Sequence, residues 1–321
     1  MRLIYVPIII TFLLLLSGCS SKKVFEPEHT TDDWKNIGTI ENKIIDTNLD
    51  GALLENKKIF IAGKIIDIEI NDTNRFISKS DDWIISSTID GNLTLSYVSD
   101  SQMIEKFNLR KTIATASVKD DILAVLFADN EMALYSISTK KLLLKESGNA
   151  PIVVNSKIVK PYFMNDIVLF LTLDGKIVIV NVELKKKLRS IIVSSEDNFN
   201  NIIYFNVIND KLIAATGSKI LSFSDKEIRV DYEIREMIYD DKNIFLSTKQ
   251  GEIISLTPDL QVNAKVKFSF AHFLGLISHN DKLYVLEKEG YLIELSKDLL
   301  KYDIYEVDLE DGYIYIDEKV F

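Results

Sequence analysis

The sequence predicts an all-β chain folded as one β-propeller of about seven four-stranded blades, within a range of six to eight. Three observations carry that expectation. The turn residues Gly91, Asn130, Gly175, Gly217, Gly251 and Gly290 each divide two apolar runs, and they lie 39, 45, 42, 34 and 39 residues apart. The runs beside them alternate or stay apolar over five or six residues, as in Asp166–Val180 and Asp281–Leu295. Nowhere do apolar residues persist at i, i+3, i+4 and i+7 over a long segment, which argues against helices. A period near 40 implies a propeller because one small sheet cannot bury both of its faces, whereas sheets packed radially can. Residues 37–321 hold about seven such periods.

The amino-terminal element is an address. One positive charge at Arg2 precedes an apolar run from Leu3 to Leu16. Fourteen helical residues span about 21 Å, short of a hydrocarbon core of about 30 Å, so the run is a secretory signal rather than a membrane span. Leu16-Ser17-Gly18-Cys19 resembles the bacterial lipobox, in which the cysteine is acylated and becomes the new first residue. Residues 1–18 are therefore expected to be a cleaved lipoprotein signal peptide and Cys19 the lipidation site. Two or more acyl chains hold a protein stably on a membrane where one does not. Ser20 rather than Asp after the cysteine implies, in lipoproteins of Gram-negative bacteria, passage to the outer membrane.

Residues 19–36 read as a lipidated polar tether. The stretch from Ser20 to Asp33 carries Pro27 and no apolar periodicity, and would reach at most about 50 Å when extended. Lys58–Ile68, with Gly63, reads as a first, irregular hairpin at the start of the propeller domain, residues 37–321. Asn130 stands where the other copies have Gly, and Asn tolerates a positive φ better than other residues with a Cβ. The acid pairs Asp81-Asp82, Asp120-Asp121 and Asp240-Asp241 recur just before strands and are expected in turns between blades. Asp311–Ile316 is expected to pair with N-terminal strands and close the ring.

The repeat resembles the quinoprotein-type propeller unit, a strand, an Asp-Gly turn, a second strand, a polar turn and a third strand. Tyr135–Leu144 and Ile179–Leu188 follow that layout without its Gly and docking Trp. A lipobox before one propeller of such units resembles the BamB-like lipoproteins of the outer-membrane β-barrel assembly machinery. That resemblance implies a protein-binding role beside the barrel assembly protein. This chain is shorter than those proteins and poorer in Gly and Trp.

Composition removes other classes. A hydrophobic fraction of 47% is incompatible with wholesale disorder. The net charge of −10, or −11 once Arg2 leaves with the signal, opposes nucleic-acid binding, which rests on neutralising phosphates. The single cysteine cannot form an internal disulfide. An outer-membrane barrel also ends in an aromatic, as Phe321 does, but Lys319, Asp317 and Tyr315 make no lipid-facing stripe.

No catalytic constellation emerges. His272 and His279 lack the i, i+4 helical spacing of a zinc peptidase and read as blade residues, and His29 lies in the tether. Asp308–Gly312 reads as an acidic hairpin turn, not a calcium loop. Trp83 is expected in the core, Trp34 either packed on a blade or exposed, and Lys185–Lys187 in a solvated turn. No cofactor, metal or nucleic acid is expected. The protein expected is a non-catalytic, periplasm-facing outer-membrane lipoprotein, a monomer within a complex, binding the barrel assembly protein. A propeller binding another envelope or host partner is the second reading, and a periplasmic quinoprotein-like enzyme the third.

Overall fold

The computed structural model describes residues 23–35, 40, 42–309, 313–316 and 319–321. The expected signal peptide, Cys19 and part of the expected Asp308–Gly312 turn lie outside these residues. Among the described residues there is no helix, and seven four-stranded antiparallel sheets follow one another along the chain. Blade one is β1 (Ile44–Asn48), β2 (Gly51–Leu54), β3 (Ile59–Ile61) and β4 (Lys64–Ile66). Blade two is β5 (Arg75–Ser80), β6 (Trp83–Ser87), β7 (Asn92–Tyr97) and β8 (Asp100–Asn108). Blade three is β9 (Ile113–Lys119), β10 (Ile122–Phe127), β11 (Glu131–Ser136) and β12 (Leu142–Ser147). Blade four is β13 (Tyr162–Met164), β14 (Ile167–Leu171), β15 (Lys176–Asn181) and β16 (Lys186–Ile192). Blade five is β17 (Tyr204–Ile208), β18 (Lys211–Ala215), β19 (Lys219–Phe223) and β20 (Glu227–Asp231). Blade six is β21 (Ile234–Tyr239), β22 (Ile244–Thr248), β23 (Glu252–Leu256) and β24 (Val262–Lys267). Blade seven is β25 (Phe273–His279), β26 (Lys282–Glu287), β27 (Tyr291–Ser296) and β28 (Tyr302–Glu306). A last hairpin pairs β29 (Tyr315–Ile316) with β30 (Lys319–Val320). The chain is a seven-bladed β-propeller.

The continuous apolar runs have a direct cause. Each second and third strand lies between two neighbouring blades, so both of its faces are buried. In β10, Leu123, Val125 and Phe127 pack towards blade two, whereas Ala124 and Leu126 pack towards blade four. Fourth strands lie at the rim and expose alternate residues. Six apolar clusters fill the six junctions between consecutive blades. The seventh cluster sets Ile314 and Ile316 against Tyr284, Leu286 and Leu292 of blade seven. The Tyr313 hydroxyl accepts the backbone N–H of Ile44, 2.6 Å away, which ties this segment to blade one.

Closure joins N- and C-terminal segments, as expected, and the bridge among the described residues falls on β28. Asp33 bridges Glu306 in parallel, and the N–H groups of Thr31 and Trp34 reach the carbonyls of Ile304 (2.7 Å) and Glu306 (2.9 Å). The N-terminal segment thus adds to the outer edge of β28, while Tyr315–Ile316 pairs within its own hairpin. Phe321 rests on Gly275, where a Cβ would sit 2.6 Å from its ring.

The repeating turns explain the period. Gly91, Asn130, Gly175, Gly251 and Gly290 all have φ between 67° and 91° in the turn joining second to third strand. Gly217 occupies the same place in blade five without a positive φ, so that copy uses a different turn. In blade one the equivalent residue is Lys57, with φ 66°, and Gly63 belongs to the next turn. That explains the short interval between Gly63 and Gly91.

Candidate interaction surfaces

Antiparallel order gives the ring two unlike faces. Connections between blades and the second-to-third-strand turns lie on one, here the connection face. First-to-second and third-to-fourth-strand turns lie on the other, the turn face.

The paired acids belong to the turn face. Asp81-Asp82, Asp120-Asp121 and Asp240-Asp241 join the first and second strands within a blade, not successive blades as expected. Their role is structural. Asp121 accepts the Ser136 hydroxyl (2.7 Å) and the Ser138 N–H (2.7 Å), tying the inner hairpin to the outer one. Asp166 does the same through Asn181, 2.7 Å away. Hydrogen bonding from Ser136 leads the causes that hold the Asp121 carboxyl below its ordinary range.

The axial channel is plugged. The 148–161 connection is the longest between blades, and its Asn155–Lys160 segment enters the channel, fixed by the buried Asn201. From there Lys157 pairs with Glu236 of blade six. Lys160 pairs with Asp50 of blade one at 2.8 Å and donates to the Lys79 carbonyl of blade two. A cavity of about 250 Å³ remains, lined by Ile77, Thr115, Tyr204 and Met237 beside these pairs. Its charged groups neutralise one another, an arrangement that stiffens the ring. Sequence reading missed this plug; the 45-residue interval between Asn130 and Gly175, the longest of the five, was its signal.

Among the described residues no group of three or more His, Cys, Asp or Glu side chains could hold a metal ion. His279 lies on β25, and the His272 N–H donates to the buried Glu287 carboxylate (2.8 Å). Trp83 is in the core against Tyr97. Trp34 packs between Tyr284 and Tyr305 and donates its indole N–H to the Tyr315 carbonyl at 3.1 Å. Lys185 sits in a turn with φ 51°, and Lys186 and Lys187 open β16 on the exposed rim.

Two rim features bear on partners. The outer edges β4, β8, β12, β16, β20 and β24 end their sheets, whereas β28 is covered by residues 31–34. Described residues of the expected tether are also seated, at Phe25 as well as at 31–34. Phe25 is buried at the junction of blades six and seven, edge-on to Phe268 (6.0 Å) and Tyr291 (5.7 Å).

No family model matches the chain. It is 30% identical over 94% of its length to the plasminogen-binding protein PgbB of Helicobacter pylori strain J99, and likewise to PgbB of strain 26695. The chain spans just under two thirds of these relatives, 64% and 63% of their lengths. Among solved structures it resembles BamB from Moraxella catarrhalis, with a TM-score of 0.67 at 11% identity, covering 87% of this chain and 92% of that one. The C-terminal WD40 domain of Sif2 superposes with a TM-score of 0.63 at 11% identity, over 89% of this chain and 92% of that domain. At such identities the structural likeness speaks to the propeller fold alone.

Proposed function

We propose that this chain is a lipid-anchored, non-catalytic propeller of the bacterial envelope whose work is to bind a protein, and that the partner is plasminogen. The observation carrying the partner is the 30% identity to PgbB along 94% of the chain. The geometry agrees with a binding role. The ring is braced across its axis by Lys157 and Lys160, and its rim offers open strand edges that can recruit an extended segment. Residues 31–34 already use β28 in that way within the chain itself. The anchor in this reading is Cys19, on the outer membrane.

A second reading, docking on the barrel assembly protein inside the periplasm, comes from the resemblance of a lipobox followed by one propeller to BamB-like lipoproteins. The two readings need opposite exposure, since plasminogen reaches only the cell surface. Surface proteolysis of intact cells, and binding of plasminogen to the immobilised full-length protein, test the first. Plasminogen binding together with protease access supports it; neither overturns it. Co-purification of the barrel assembly protein with a fully protected chain would favour the second. Replacing Cys19 with Ala should release the protein from the membrane fraction, and unchanged membrane partition would remove the anchor.

A further inference from the structure

We infer that the connection face of the propeller lies against the bilayer that holds the Cys19 lipid, with Phe270 and Val24 at the contact edge. This rests on the anchoring reading above. The first argument is chain length. Four residue steps separate Cys19 from Lys23, a reach of at most about 14 Å. Lys23 and Phe25 are already docked at the junction of blades six and seven, with the Lys23 ammonium 5.4 Å from the Phe270 ring centre. A lipid at residue 19 therefore holds this edge of the ring close to the membrane surface.

The second argument is what that face presents. Ile89 (66% exposed), Ile152 (84%), Phe199 (54%) and Phe270 (57%) all stand in its turns and connections. Ile152 and Val153 adjoin Phe199, whose N–H donates to the Val153 carbonyl at 3.1 Å. Phe199 (φ 52°) and Phe270 (φ 67°) both sit in the left-handed region, which is costly for a bulky side chain. Two exposed phenylalanines held in strained connections on one face mark a contact surface. Apolar loop tips among polar neighbours suit the interface between headgroups and acyl chains. The turn face exposes Leu49, Leu184 and Leu300 singly, in turns of different blades. A protein partner would then meet the turn face and the rim.

The test uses full-length lipoprotein in vesicles of phosphatidylethanolamine and phosphatidylglycerol. A second cysteine at Phe270→Cys, Phe199→Cys or Leu184→Cys carries an environment-sensitive fluorophore, and nitroxide-bearing lipids quench it. Intact mass reports the state of Cys19. We expect quenching at 270 at least about threefold that at 184, with 199 between them. Twenty Gly/Ser residues inserted before Lys23 should lower it towards the value at 184. A lipidated Cys19 with 270 quenched no more than 184 overturns this inference while leaving the anchor standing. An unmodified Cys19 overturns both. A label at 270 that shifts only when plasminogen is added identifies a protein-docking face and also overturns it.

Discussion

Single residues set the turns, and Asn130 shows how much one side chain can carry. Its φ of 67° makes it an evident substitute for Gly, yet the amide also cross-links two blades. Asn130 Oδ1 accepts the Leu173 N–H (2.8 Å), and Nδ2 donates to the Asn149 carbonyl (2.9 Å). Asn130→Gly keeps the backbone but strands these groups, and is expected to lower urea stability by about 1–3 kcal/mol. Asn130→Ala should cost about 1 kcal/mol more, because it also loses tolerance of the positive φ. Equal stabilities for wild type and Asn130→Gly would show that only φ matters. Asp121 carries a pH dependence with a definite sign. Its carboxyl is held low in the folded state, chiefly by Ser136, so its contribution is present near neutrality and fades as pH falls through that lowered value. Stability should therefore fall less between about pH 5 and about pH 3 in Asp121→Asn than in wild type, measured as urea midpoints.

At the scale of elements, legibility followed how strictly a position is constrained. Gly91, Gly175, Gly251 and Gly290 could be read because the turn demands a positive φ, and the runs beside them because both faces are buried. In blade one only the β3–β4 hairpin at Gly63 could be read, since the turn between its second and third strands uses Lys57, a residue that advertises nothing. Phe199 and Phe270 pass for ordinary strand residues until the fold leaves them in connections. The plug was hidden for the same reason: Lys157 and Lys160 resemble solvated lysines and follow no period. Its contribution can be measured. Lys160→Ala breaks the tie from blade four to blades one and two and leaves Asp50 without its cross-ring partner. The pair is partly exposed, so the loss should be modest, about 1 kcal/mol. The sharper readout is amide exchange, which should accelerate in β1 and β5 and stay unchanged in β18 and β19. Uniform acceleration, or none, would mean that the plug does not brace the ring.

For the whole molecule the decisive junction lies between blades seven and one, where the last hairpin packs on blade seven and is tied to blade one through Tyr313 and Ile44. Asp311–Ile316 is legible in the sequence as part of closure: its described residues reach N-terminal ones through the Tyr313 hydroxyl and the Tyr315 carbonyl, while Tyr315–Ile316 ladders with Lys319–Val320. Apolar pattern reveals that Ile314 and Ile316 are buried, but the register of a two-residue strand is set by what surrounds it. If the wedge locks the ring, disturbing it at one point should weaken the whole fold cooperatively. Gly275→Val offers that point, because its Cβ would lie 2.6 Å from the Phe321 ring. Overpacking of this kind costs about 1–3 kcal/mol. Phe321→Ala alone should also destabilise, by removing a ring from the cluster with Trp34 and Ile314. Together the two changes should cost less than their sum, since the valine would occupy space the ring has left. Thermal unfolding of the four proteins supplies the cycle. A shared single transition with a favourable coupling of about 1 kcal/mol or more supports a wedge acting on the entire ring. Strict additivity, or loss of blade seven alone in a separate transition, would show that the ring is held by the six direct blade junctions.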